Sequence, residues 1–217
     1  MPYDNRQSQT RQSMPMHDEH EHHEKHHMSE PEMVNALKSC LDDIITYLWG
    51  GTHWHQKAAN CSRVYIHLRG LGRQHEMLSK VDYEAMQRLS KLAGDNIGHV
   101  ANVDMEKVTK AEAWMMKDMN AFFNHFPIWV SREKEYAECI KAAIHYAREL
   151  LDEELYKELF CLAGRVKKEI KRVNMLEERI EAGGRLPHDI FGISKEMHDA
   201  YEYGKIGPED VMDINYG

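Results

Sequence analysis

Between Leu155 and Ile180 apolar residues recur three or four positions apart, at Leu155, Leu159, Leu162, Val166, Ile170, Val173, Leu176 and Ile180, with Lys167, Lys168, Lys171 and Arg172 behind them. At about 100° per residue this spacing returns each side chain to one face, so the segment reads as an amphipathic helix with a stripe to bury. A single helix has nothing to bury that stripe against. The same rhythm recurs through most of the chain and no stretch alternates at period two for more than a few residues. The expected fold is therefore all-α, an antiparallel helical bundle of about five helices.

Ser29-Glu30-Pro31-Glu32 supplies a capping box with proline in the first turn, so the first helix is expected to start there. Its stripe runs through Met33, Leu37, Cys40, Leu41, Ile44, Ile45 and Leu48. Gly50-Gly51 then predicts a kink or short loop, because glycine costs about 1 kcal/mol relative to alanine inside a helix. Trp54, Ala58, Cys61, Tyr65 and Leu68 resume the pattern, and Leu78, Val81, Ala85, Leu89 and Leu92 carry it to Gly94; one helix or two fit residues 52–93. Asp104 caps a helix through Met105, Val108, Ala111, Met115, Met119, Phe122 and Phe126, which Pro127 should stop. Ser131 would cap the next, with Tyr136, Ile140, Ala143, Ala147 and Leu150 inward. The long helix at 155–180 ends at Gly183-Gly184, and a short amphipathic one follows from Ser194 to Tyr203. Residues 1–28 form a polar arm, expected to be disordered because it has little to bury against the entropy of ordering it. Residues 29–184 form the bundle, and 185–217 a C-terminal extension.

The 217-residue chain is long enough for one full core, and its net charge of −8 argues against a phosphate-binding surface. Arg63, Arg69, Arg73, Lys80 and Arg88 form one locally basic segment that would suit a nucleic-acid-binding regulator or a plain solvated face. No apolar run is long enough for a membrane span and no secretory leader is recognisable, so a cytoplasmic protein is expected. Cys40, Cys61, Cys139 and Cys161 are widely spaced in apolar helical contexts, which reads as buried free thiols. Trp114, Met115, Met116 and Met119 match a core stripe more simply than a soft docking face. No nucleophile elbow or phosphate loop is present, so no catalytic residue is assigned and a non-enzymatic role is expected.

Metal chemistry has two candidate locations. In the arm, His17, His20, His22, His23, His26 and His27 alternate with Asp18, Glu19, Glu21 and Glu24, a flexible ligand cloud for iron, zinc or nickel, or a solvated tail that touches a partner. In the folded body the candidates are His53, His55, His67 and Asp82. Positions 53 and 55 cannot share a helix face, so the full set requires ligands converging from separate helices or subunits.

The His53-Trp54-His55 segment near the end of a first long helix, followed by His67 and then Asp82, resembles the ferroxidase segment of Dps-type ferritin-like proteins. That resemblance implies a ferritin-like bundle in a hollow dodecamer, with iron held between subunits on His, His, Asp and Glu. The ordinary di-iron bundle pattern, a Glu from two helices and Glu-x-x-His from two others, does not occur in any predicted helix. The layout of polar start, His/Met-rich linker and acidic helical body is similar in style to small accessory proteins of bacterial viruses and prophages.

The expected function is thus a non-enzymatic helical structural or interaction protein, a homo-oligomer or assembly component of phage-accessory type, with a histidine arm for metal or a protein partner. The alternative is a Dps-type iron-binding or ferroxidase bundle, and the second alternative a nucleic-acid-binding regulator.

Overall fold

The computed structural model describes residues 28–113 and 116–202. Among them are six α-helices and no strand: α1 (Glu30–Val64), α2 (Arg69–Ile97), α3 (Met105–Ala113), α4 (Met119–Glu149), α5 (Glu153–Ala182) and α6 (Pro187–Glu202). No helix among the described residues is long and apolar enough to cross a membrane. The six histidines of the arm, His17 to His27, lie outside the described residues.

Cross-helix contacts fix the topology. Asn96 bonds Asp152, Arg88 pairs with Glu158 and Arg165 with Asp82, so α5 runs antiparallel to α2. Tyr47 stacks on Tyr136, whereas Trp54 stacks on His125, so α4 runs antiparallel to α1. It follows that α2 and α4 point the same way, and residues 98–118 must travel the length of the bundle to join them. α3 lies on α1 within that crossover, tied by Lys107 to Asp43 at 2.8 Å and by the Asp104 amide to Thr46 Oγ1 at 3.0 Å.

The four long helices close a ring in the order α1, α2, α5, α4. Their inner faces form two apolar clusters. One contains Leu37, Leu41, Ile44, Leu89, Ile140 and Leu159; the other contains Leu71, Leu78, Phe122, Phe126, Val173 and Leu176. Between the two, at mid-bundle, the interior is polar.

Several boundaries depart from the sequence reading, each for a packing reason. The capping box at Ser29 forms, with the Ser29 amide donating to Glu32 at 2.7 Å. α1 then continues through Gly50-Gly51 without a break, because Gly51 is needed for contact with α2: a Cβ there would lie 2.6 Å from Asp82 Oδ2. The real interruption is at Tyr65–Leu68, where His67 adopts φ 61°, so 52–93 is split between two helices. α2 runs past Gly94 and is ended by Gly98 in the left-handed conformation.

Pro127 does not stop a helix. It sits inside α4, which is capped at Asp118, whose side chain accepts from the Ala121 amide, and Ser131 is mid-helix. An interior proline costs about 3 kcal/mol, which burial of Phe122, Phe126 and Trp129 at roughly 1.5–3 kcal/mol each outweighs. α6 starts at Pro187 rather than Ser194, its proline placed where the missing N–H is harmless. Only Cys61 of the four free cysteines is fully buried, and Cys161 is exposed. Met116 is in the core and Met119 is exposed, while the side chains of Trp114 and Met115 lie outside the described residues.

α6 packs on α2 through Gly70, whose amide donates to Ser194 Oγ at 3.0 Å; a Cβ at this position would meet the Ser194 carbonyl oxygen at 1.8 Å. Backbone cannot yield as a side chain can. Gly70→Ala is therefore expected to separate α6 from α2, destabilising the protein by roughly 2 kcal/mol or more and selectively exposing 187–202 to hydrogen exchange and proteolysis.

A candidate metal centre in the mid-bundle layer

The polar layer is built from seam positions. On each long helix the buried residues follow a 4,3,4,3 rhythm, and over about two turns at mid-bundle that rhythm lands on polar side chains, His55 on α1, His75 and Asp82 on α2, Glu133 on α4 and Glu169 on α5, with His125 beside the α4 seam. All six are buried. Burying them is tolerable only because they meet one another.

His55, Glu133 and Glu169 bring three ligand atoms within 4.8 Å of one another. His55 Nε2 stands 3.7 Å from Glu169 Oε1 and 3.8 Å from Asp82 Oδ2, too far for hydrogen bonds. Metal–ligand bonds of about 2.0–2.2 Å put ligand atoms of one ion roughly 3–4.4 Å apart. The group is thus close to the spacing a cation would draw together, and its residue types suit a first-row divalent metal.

Each ligand is held from behind. Trp129 Nε1 donates to Glu169 at 2.8 Å, and the Tyr47 hydroxyl to Glu133 at 3.4 Å. Asp82 is taken by Arg165, whose Nη2 donates to Oδ1 at 2.7 Å. His55 Nδ1 meets His75 Nδ1 at 2.9 Å, and His75 Nε2 meets His125 Nε2 at 2.9 Å. A neutral imidazole carries one N–H, so this chain of three rings has two self-consistent directions. In one, His55 donates from Nδ1 and keeps its Nε2 lone pair for the ligand cavity; in the other, Nε2 carries the proton and points it at the carboxylates.

Electrostatics match that picture. Burial lowers all three histidines well below their usual range, His125 to about 3, with Arg132 adding to the effect on His55 and His125. Burial pushes Glu169 up to about 7 and Asp82 to about 6, in the latter case against the Arg165 guanidinium. Glu133 is also raised, first by burial and then by the Glu169 and Asp82 charges. Glu133 and Glu169, both raised by burial, hold protons that a divalent ion would displace, while Asp82 is paired with Arg165.

The sequence-level candidates divide cleanly. His55 and Asp82 enter this layer. His53 lies on the exposed side of α1 against Trp49, at 5.7 Å between ring centroids, and His67 is exposed in the α1–α2 turn. A continuous helix through Gly50-Gly51 forces the first separation, since residues two apart point 200° from each other. Glu133 and Glu169 were missed by sequence reasoning, as were the partners His125, Arg132 and Arg165. In the basic segment, Arg63 and Arg73 both bond Glu76, and Arg88 bonds Glu158.

No protein-family model matches the chain, and no curated protein does. Solved structures do. The open-pore ferritin of the hyperthermophilic archaeon Archaeoglobus fulgidus superposes with a TM-score of 0.59 at 15% identity, over 79% of this chain and 97% of that one. A closed form of the Archaeoglobus fulgidus ferritin made by site-directed mutagenesis gives 0.59 and 15%, over 79% and 96%. The chain has the ferritin-like helical-bundle fold. This fold and the buried His55/Glu133/Glu169 group overturn the expectation of a contact-only, phage-accessory type of structural protein, for the body contains an assembled ligand set and its structural neighbours are ferritins.

The proton balance of the centre gives a measurable signature. Glu169 holds its proton to about pH 7 when folded against an ordinary value of 4.5, so the folded state binds more protons between those limits and this contribution to stability falls as pH rises through them. The histidines act in the opposite sense, costing stability as pH falls below 6.5 because only the unfolded chain takes their protons. In the metal-free protein, Glu169→Gln is expected to gain several degrees of Tm over wild type as pH is raised from 4.5 to 7.5. Parallel Tm–pH curves would contradict this.

Proposed function

We propose that this chain is an iron-binding protein on a ferritin-like bundle, with His55, Glu133 and Glu169 holding one divalent ion inside each chain, and with oxidation of ferrous iron as its activity. The observation that carries this reading is the convergence of three buried ligand atoms from three helices within 4.8 Å. One imidazole and two carboxylates suit iron or manganese by ligand type, while copper and zinc are the stronger competitors on affinity alone.

The surroundings support one ion rather than two. Asp82, the third acid of the layer, is already engaged by Arg165, and Arg132 adds a second guanidinium beside the layer. No helix supplies a Glu-x-x-His pair to the layer. A second divalent cation would have to displace a buried guanidinium.

Bound iron supplies one-electron chemistry between its ferrous and ferric states. The protein's own part is preorganisation: Trp129 fixes the Glu169 carboxylate, Tyr47 approaches Glu133, and the His75–His125 chain orients the His55 ring and can take the proton of its Nδ1 so that Nε2 is left as the ligand atom. Apolar clusters lie on either side of the layer along the bundle. In this reading the arm histidines 17, 20, 22, 23, 26 and 27 collect metal loosely and the body binds it at a defined site. Exposed Val64, Tyr65, Phe160 and Phe191 offer apolar surface for a homo-oligomer.

Protein lacking residues 1–28 is expected to retain one iron per chain by elemental analysis after anaerobic loading and desalting. Glu133→Ala and Glu169→Ala should each lower affinity at least tenfold and slow ferrous loss under air, whereas His53→Ala and His67→Ala should leave both unchanged. Two irons per chain, or none in the truncated protein, would overturn the proposal. Affinity should also rise with pH through about 7, as Glu169 gives up its proton. His75→Gln, which keeps a donor and an acceptor, should bind iron better than His75→Leu. Light scattering reads the oligomeric state.

A further inference from the structure

A cleft of about 420 Å³ opens between α1, α3 and α4, lined by Tyr47, Trp54, Ile128 and Arg132 at one side and by Lys107 and Lys110 of α3 at the other. It is outside the ligand set but shares a wall with it, since Tyr47 both borders the cleft and approaches Glu133.

Arg132 is the unexplained residue here. Its guanidinium carbon sits 4.8 Å from the Trp54 ring centroid and 5.1 Å from that of Tyr47, so aromatic faces hold the plane in position. Arg165, by comparison, has Asp82. Arg132 has no hydrogen bond or ion pair within 4 Å among the described residues, and its Nε is buried with no acceptor. Lys107, by contrast, is satisfied by Asp43 at 2.8 Å, and Lys110 by Glu106 at 2.7 Å. A fixed, planar, unpaired fork at the wall of a cleft is built to receive a carboxylate.

The sign of the charge decides the class of ligand. Three cations face the cleft against Asp43 and Glu135, and the one nearest the metal layer is the unpaired one. A ferrous ion coming this way would be repelled by Arg132. The remaining walls, Ile128 and the two aromatic rings, favour an apolar body over a polyanion, and the volume suits a small molecule.

We propose that this cleft binds a small organic carboxylate, its charged end on Arg132 and its apolar body against Ile128, Tyr47 and Trp54. The proposal does not depend on the metal reading and is tested without metal. Sodium benzoate titrated into the metal-free full-length protein, followed by calorimetry and tryptophan fluorescence, is expected to saturate at one per chain with a Kd on the order of 1 mM or below. Benzamide, of the same shape without the charge, should bind at least tenfold more weakly, as should inorganic phosphate, which lacks the apolar body. Arg132→Gln should weaken benzoate at least tenfold with unchanged circular dichroism. Ile128→Trp, which fills the cleft and leaves the charge, should do likewise, and it decides the question if Arg132→Gln fails to fold. No saturation up to tens of millimolar, equal binding of benzamide, tighter binding of phosphate, or benzoate affinity indifferent to Ile128→Trp would each overturn it. Iron binding at His55, Glu133 and Glu169 could fail while this test succeeds, and the reverse.

Discussion

The structure turns on the burial of charge at mid-bundle. Four long helices each place a polar residue where their seam calls for an apolar one, and the desolvation cost of an unpaired buried charge runs to several kcal/mol. Such a layer is tolerated only when its members satisfy one another, so the register of all four helices is set together. Asp82 has to reach Arg165, Glu169 has to reach Trp129, and the three histidines have to line up edge to edge. Slipping one helix by a turn would leave several of these groups buried and alone. The apolar clusters above and below supply cohesion; the polar layer supplies the alignment.

That alignment explains two features with no obvious local cause. Gly51 is tolerated in the middle of α1 because its missing side chain lets the Asp82 carboxylate lie against the helix, within reach of Arg165. The crossover from α2 to α4 makes those two helices parallel and diagonal in the ring, which is what lets His75 and His125 meet across the interior. An up-down-up-down chain of the same four helices would reverse α4 and bring a different pair of residues to that height.

Much of the fold was legible and the site only partly so, for the same reason. Apolar periodicity depends on local geometry, and it locates α1, α5 and most of α2 and α4 directly. Pro127 and Gly50-Gly51 misled because their local penalties, a few kcal/mol at most, are overruled by tertiary burial that a linear reading does not see. The candidate centre failed differently. Searching for histidines close in sequence selected His53 and His67, which the helix turns outward, while Glu169 passed unnoticed among the charges of α5. Yet Val166, Glu169 and Val173 keep the 3,4 step, as do Trp129, Glu133 and Tyr136, and as do Leu78, Asp82 and Ala85. An acid on the apolar seam of three helices was the readable signal, and it lies in position along the stripe, not in any motif.

The guanidinium groups then limit what the layer can be. Arg165 neutralises Asp82 and Arg132 offsets part of the remaining acidity, so of three buried carboxylates two are left to answer an added cation. Both share their reach with His55 and with no second imidazole, because His75 spends both ring nitrogens, and His125 its Nε2, on the chain behind it. A ligand set of this size, backed by fixed positive charge, would hold one divalent ion close to electroneutrality and oppose a second. In the proposed reading the arginines at the layer would therefore be as decisive for stoichiometry as the ligands themselves.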